Sequence, residues 1–300
     1  MKILHTADWH LGKKLEQFSR LPEQKEVMQE IITIANKEEV DAVIIAGDLF
    51  DNFNPSNESI ELFYSTLKEL TNNGSRLVVA IAGNHDSPER IEAPDPLARA
   101  NGIILTGYPH TVVPKFELES GIKVLKTDKG FIEVKLPNVD FPLRLLLTPY
   151  ANEYRLKTFL DTTDKEAELR DVLSKHWEFN ATKYCDEKGV NLLMTHLFMI
   201  KQGGTAPEEP DDEKPILHVG GAQMVYTHNI PNQIQYTALG HLHRPHQMDD
   251  NPCPVVYSGS PISYSFSEAN QQKSVTIITL KPNTKAELKK VSLTKRKKLL

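Results

Sequence analysis

Val40-Asp41-Ala42-Val43-Ile44-Ile45-Ala46-Gly47-Asp48-Leu49-Phe50-Asp51 is the stretch on which the fold turns. Its apolar, β-branched run stops at a glycine, the pattern of a strand buried on both faces that breaks sharply into a loop at its C-terminal end. Asp48 stands at the mouth of that break. In an open α/β sheet ligands gather beyond the carboxyl ends of the strands, so an acid there is placed for chemistry rather than packing. We read Asp48 as a carboxylate that bridges two metal ions.

The segments on either side repeat the arrangement. Lys2 to Ala7 predicts a strand ending at Asp8-Trp9-His10, and Leu21 to Lys37 predicts a helix with Val27, Ile31 and Ile34 on one face. Beyond the turn-rich loop Asp51-Asn52-Phe53-Asn54-Pro55-Ser56 a helix runs from Asn57 to Leu70, closed by Asn72-Asn73-Gly74. A third strand, Arg76 to Ala82, stops at Gly83-Asn84-His85-Asp86. The βαβαβ order implies a parallel sheet packed against helices, which brings the three polar clusters to one edge.

A short helix from Pro94 to Ala100 and a strand from Ile103 to Leu105 follow. Between Lys115 and Pro149 shorter strands broken at Gly121, Asp128-Lys129-Gly130 and Pro137-Asn138 predict antiparallel β-structure and the start of a second sheet. Thr163 to Lys188 is polar except for Leu169, Val172, Leu173 and Trp177 at helical spacing, so a long surface helix is expected. The strand Val190 to Thr195 ends on His196, and Ile234 to Leu239 ends on Gly240-His241-Leu242-His243. Gly203 to Pro215 reads as a solvated loop. Pro254 to Tyr257, Ser274 to Leu280 and Ala286 to Leu293 complete the strands.

With 300 residues, 39% hydrophobic and 25% charged, the chain has enough material for one large catalytic core or two small domains. Its formal net charge of -5 gives no basic field over the whole chain, so any contact with nucleic acid has to be local. Cys185 and Cys253 are the only cysteines, which excludes a disulfide scaffold and suits a reducing cytoplasm. No signal-like start and no run of membrane-spanning length is seen, so the expected location is the cytoplasm, with no membrane association.

Asp8, His10, Asp48, Asn84, His196, His241 and His243 all stand at strand ends and offer three oxygen ligands and four imidazoles. That mixture suits Mn, Fe or Zn better than the purely oxygen-liganded Mg or Ca. Singly, the motifs are weak: Asp8-x-His10 alone is more often a solvated turn, and Gly83 to Asp86 fits an Asx turn. Together, each at a strand end, they describe a two-metal clamp of the kind that hydrolyses phosphate esters. Arg90 and Arg244 directly follow metal motifs and are candidate phosphate contacts, with surface salt bridges the equal alternative. His5, His110, His176, His218, His228 and His246 are assigned to packing or surface, and Trp9 to packing beneath the site.

The ordered series Asp8-x-His10, Gly47-Asp48-x-x-Asp51, Gly83-Asn84-His85-Asp86, His196 and Gly240-His241-x-His243 resembles the calcineurin-like metallophosphoesterases. Within them, His5-Thr6-Ala7-Asp8-Trp9-His10-Leu11-Gly12, Gly83 to Pro88, and Ala238-Leu239-Gly240-His241-Leu242-His243-Arg244-Pro245 resemble the SbcD-type DNA repair nucleases, a likeness that extends over nearly the whole chain. The resemblance implies a four-layer α/β sandwich of two mixed β-sheets flanked by helices. It places Asp8, His10, Asp48 and His243 on one metal and Asp48, Asn84, His196 and His241 on the other, with Mn the expected ion and Fe or Zn the alternatives. It also implies two-metal hydroxide attack on the phosphodiester of DNA ends or hairpins, in repair, recombination and replication. His85 would lie over the scissile phosphate and assist the leaving oxygen, with Asp51 accepting a hydrogen bond from it.

The partners implied are DNA, an SbcC-like SMC-type ATPase, and a second copy of the chain through helices near 57–70 and 94–100. Chains of this type continue into a capping domain. Residues 1–293 are therefore expected to form the nuclease domain, and the basic residues 294–300 to begin a capping region that is otherwise absent. Two rival readings stand beside this one: a phosphoesterase for small esters or nucleotides, and a non-catalytic scaffold in a repair complex. The protein-phosphatase branch usually shows an arginine after the second acid, where this chain has Asn52.

Overall fold

The strand-ending motifs belong to two sheets that face each other, as a computed structural model covering residues 1–157, 164–204 and 224–295 shows. In β1 (Lys2–Thr6), β2 (Ala42–Ala46), β3 (Leu77–Ile81) and β4 (Ile103–Thr106) every residue but Lys2 is buried. The apolar runs are continuous because each strand packs on both faces. Leu4, Val43, Ile45, Val78 and Ala80 join the core under α1 (Leu21–Lys37) and α2 (Asn57–Leu70). Their neighbours Ile3, Ala42, Ile44, Leu77, Val79 and Ile81 join a second core, shared with the other sheet. Period-two alternation is present throughout, but with both faces apolar it leaves no polar mark in the sequence.

The second sheet contains β5 (Lys123–Asp128), β6 (Phe131–Lys135), β7 (Leu143–Thr148), β8 (Val190–His196), β9 (Tyr236–Gly240), β10 (His246–Asp249) and β11 (Val255–Tyr257), in the order β10-β11-β9-β8-β7-β6-β5. Its central strands β7, β8, β9 and β11 are parallel, and β5, β6 and β10 pair antiparallel at the edges. The chain then returns to the first sheet: β12 (Ser274–Thr279) pairs antiparallel with β1, and β13 (Glu287–Ser292) with β12. That sheet is therefore mixed, with the order β13-β12-β1-β2-β3-β4.

Helix α3 (Lys165–Tyr184) covers the outer face of the second sheet through Leu169, Leu173, Trp177 and Ala181, a stripe repeating every four residues. Leu169 and Leu173 each contribute about 1.5–3 kcal/mol by leaving water, which helps to hold an otherwise polar helix. Val172 is only half-buried. The layers are thus α1 and α2, first sheet, second sheet, and α3, the four-layer sandwich expected from the sequence. The expected loop from Gly203 to Pro215 lies almost wholly outside the described residues, as do His218 and the tail beyond Lys295. No described helix is long and apolar enough to cross a membrane.

Candidate metal centre

Because β2 of one sheet stacks on β8 and β9 of the other, the carboxyl ends of strands from both sheets meet at one place. Close approach there explains two of the glycines. A Cβ on Gly83 would lie 2.1 Å from Asp48 Oδ1, and one on Gly240 would lie 1.8 Å from the Ala46 carbonyl. Asp8, His10, Asp48 and His241 adopt positive φ angles of 54°, 41°, 48° and 105°, a conformation that costs a side-chain-bearing residue about 1–3 kcal/mol. Four strained residues among the seven expected ligands indicate backbone set for function at some expense of stability.

All seven are buried and converge. Asp48 Oδ2 sits between His10 Nε2 at 3.5 Å and His196 Nε2 at 3.2 Å, as a bridging oxygen should. His10 Nε2 faces His243 Nε2 at 3.0 Å on one side. On the other, Asn84 Oδ1 lies 2.8 Å from His196 Nε2 and 3.2 Å from His241 Nδ1. Asp8 uses Oδ1 to accept the His241 amide at 2.8 Å, while its buried Oδ2 receives no hydrogen bond from the described residues. A buried carboxylate oxygen lacking a donor is costly unless a cation meets it, and the mixed nitrogen and oxygen donors suit a borderline divalent ion. The residues present therefore fit a dinuclear centre.

The electrostatics agree. Burial would raise the Asp48 carboxyl, but His196, His85 and His10 around it hold it well below the usual carboxylate range. Burial disfavours charge on His196 too, yet the Asp48 and Asp8 carboxylates outweigh it and lift the ring to about 9. Burial raises Asp8 to about 6, against the lowering by His196 and His243. The cluster thus holds protons that a metal ion would have to displace.

The His85 ring stands against His10 with centroids 4.9 Å apart. Its Nδ1 lies 2.8 Å from the main-chain carbonyl of Asp51. A carbonyl only accepts, so Nδ1 carries the proton and Nε2 is the nitrogen available for transfer. Asp51 therefore meets His85 through its main-chain oxygen. The carboxylate is turned to Lys13 Nζ at 3.4 Å and to His10 Nδ1 at 3.8 Å. His10, Asp51 and His85 also form a group close enough to share an ion, so Asp51 lies nearer the metal side than expected.

Neither arginine enters the cluster. Arg90 is exposed and donates to Asn54 Oδ1 at 3.1 Å; Arg244 is exposed beside His243. Trp9 is wholly buried, donating to Thr6 Oγ1 and packing edge-on against Phe63, a structural role. His5 is likewise internal, paired with the Tyr236 hydroxyl at 2.9 Å. Burial pushes the Cys185 and Cys253 thiols up to about 12, which leaves them inert.

Four residues that hold the centre were missed. The Asp86 carboxylate accepts from the amides of Leu49, Phe50 and Gly83, tying the Asp48 loop to the Asn84 loop. Arg155, on the short helix Glu153–Leu156, donates to the carbonyls of Gly83, Asn84 and Asp86. Glu268 accepts from His243 Nδ1 and from the buried ammonium of Lys273. Only Asp86 carried a signal, as part of the quartet with two site residues.

Residues 1–245 match the calcineurin-like phosphoesterase family, and the chain belongs to it. Along its whole length it is 40% identical to the SbcD component of the nuclease SbcCD from Bacillus subtilis strain 168, 71% of which it covers. It is 31% identical, over 94% of its length, to the protein of the same name from Staphylococcus epidermidis, covering 67% of that chain. Among solved structures, a dimetal phosphatase from Danio rerio shares the fold with a TM-score of 0.53 at 12% identity, over 98% of both chains.

Proposed function

We propose that this chain is a metal-dependent DNA nuclease that hydrolyses phosphodiesters at ends or hairpins in repair, working with an SbcC-like SMC-type ATPase. The observation that carries the reading is the Asp48 carboxylate held between His10 and His196, with Asp8, Asn84, His241 and His243 around it, in a chain 40% identical to a nuclease component. His10, Asp8 and His243 would hold one ion and Asn84, His196 and His241 the other, with Asp48 on both and Mn the favoured ion over Fe or Zn. Bound there, the two ions would supply the positive charge and acidified water that hydrolysis at phosphorus needs.

The chain's own groups do the rest. The Ala46 carbonyl accepts from His196 Nδ1 at 2.8 Å and so keeps Nε2 directed at the centre. His85, fixed through Nδ1, can deliver a proton from Nε2 to the leaving oxygen, a role for which removal of the ring costs about 10²–10⁴ in rate. The exposed Leu97, with the half-buried Ile60 and Tyr64 on α2, supports pairing of two copies through helices near 57–70 and 94–100. Residues 1–293 form the nuclease domain on this reading, supported by β13 and the buried Leu293 closing the first sheet.

The test is incubation with Mn and end-labelled duplex and hairpin DNA, beside an aryl phosphate and a small phosphodiester. Cleavage of DNA that disappears in His85→Ala is expected. Turnover of the small esters alone would transfer the chain to small-molecule chemistry, and no turnover of any substrate would leave a scaffold.

A further inference from the structure

Glu268 and Lys273 lie on the segment between β11 and β12, distant in sequence from every motif, and both are buried to within 1%. The Lys273 ammonium meets Glu268 Oε2 at 2.5 Å, the His243 carbonyl at 2.9 Å, Ser260 Oγ at 2.9 Å and Gln271 Oε1 at 3.0 Å. The other carboxylate oxygen, Oε1, is 3.0 Å from His243 Nδ1. A fully buried ammonium and carboxylate are expensive to desolvate, and replacing such a pair with apolar side chains is often neutral or stabilising. Stability alone is therefore a poor reason for this pair. Its connection to one ring is a better one.

We propose that Glu268, oriented by Lys273, is the positioning residue that fixes the tautomer of His243 and so makes its Nε2 a metal ligand. The inference rests on the reading of His243 as a ligand and names what keeps it one. A carboxylate only accepts, so the ring must donate through Nδ1, which leaves the Nε2 lone pair facing His10 Nε2 and the centre. Lys273 only donates, and its hold on Oε2 prevents the carboxylate from turning away.

This arrangement makes Glu268→Gln a sharp probe although it is isosteric. The amide has one oxygen and one NH2. Lys273 cannot face the NH2, so the oxygen turns to Lys273 and the NH2 to His243 Nδ1. The ring then has to accept at Nδ1 and carry its proton on Nε2, where it blocks coordination. Lys273→Met removes that demand, and in the double variant the amide oxygen can turn back to Nδ1.

The experiment is calorimetric titration of the full chain with Mn, together with long-range proton–nitrogen NMR of the imidazoles in the metal-free protein. We expect wild type to bind two ions with the His243 proton on Nδ1. In Glu268→Gln one ion should weaken by about 10–100-fold with the other unchanged, and the proton should move to Nε2. Glu268→Gln/Lys273→Met should recover much of the lost affinity. Wild-type affinity for both ions in Glu268→Gln, or no recovery in the double variant, overturns the proposal. So does a wild-type ring with its proton on Nε2, a measurement that holds even where the variants fail to fold. If wild type binds no pair of ions, the metal centre itself is wrong and the proposal falls with it; that result is separate from failure in the variants.

Discussion

The two halves of the centre are held by different means. On the His10 and His243 side, a buried side-chain relay from Lys273 through Glu268 sets one ring. On the Asn84 and His196 side the supports act on main chain: Asp86 gathers three amides, Arg155 gathers three carbonyls, and His196 is set by the Ala46 carbonyl. A side-chain relay can be altered one atom at a time with the backbone left in place. A main-chain clamp cannot, because releasing it moves Asp48, Asn84 and His85 together.

The first way to break this contrast is Asp86→Ala. Three buried amides lose their acceptor, each worth about 1–3 kcal/mol, so urea unfolding of the metal-free chain should show about 3 kcal/mol or more of destabilisation. Affinity for both ions should fall with it. Weakening of one ion with the other unchanged, the pattern expected of Glu268→Gln, would show that the halves do not differ in kind.

Protons sharpen the contrast next. In the metal-free chain the surrounding carboxylates lift His196 to about 9 and burial raises Asp8 to about 6, and as ligands both would have to lose that proton. Below pH 9 an entering ion therefore displaces a proton from His196, and below about pH 6 a second from Asp8. Apparent affinity should rise with pH, more steeply below about pH 6 than above it. Calorimetry in buffers of different ionisation heat counts the protons released; affinity independent of pH from 5 to 8 would contradict the assignment.

The smallest effect is expected at Asp51. Since the His85 ring hangs on a main-chain carbonyl, Asp51→Asn should keep both ions and lower kcat by less than about tenfold, well short of His85→Ala. An Asp51→Asn loss as large as that of His85→Ala would restore the carboxylate as the orienting group. Loss of an ion in Asp51→Asn would instead make Asp51 a ligand, as its place beside His10 permits.

Much of this was legible in the residues themselves. Helices α1 and α2 have the bounds read from Leu21, Lys37, Asn57 and Leu70, because each carries an apolar face, closed after α2 by Asn72-Asn73-Gly74. The seven convergent candidate ligands were visible because each follows an apolar strand, and the carboxyl ends of neighbouring parallel strands share an edge. The return of β12 and β13 to the first sheet was not visible, since alternation identifies a strand but not its neighbour. Nor were Arg155, Glu268 and Lys273. Their partners are carbonyls and one ring nitrogen far along the chain, and no local spacing marks a residue whose work is a long-range hydrogen bond. For Asp51 the sequence pointed to the residue and not to the atom, since a main-chain acceptor leaves no trace in side-chain identity.

The bridging role of Asp48 is the claim on which the rest depends. Electron paramagnetic resonance of the chain loaded with two equivalents of Mn tests it directly, because ions sharing a carboxylate at ~3.5–4 Å are magnetically coupled. The coupled spectrum is expected in wild type and its disappearance, with loss of both ions, in Asp48→Asn. Two uncoupled Mn signals in wild type, or a coupled pair that survives in Asp48→Asn, would contradict it.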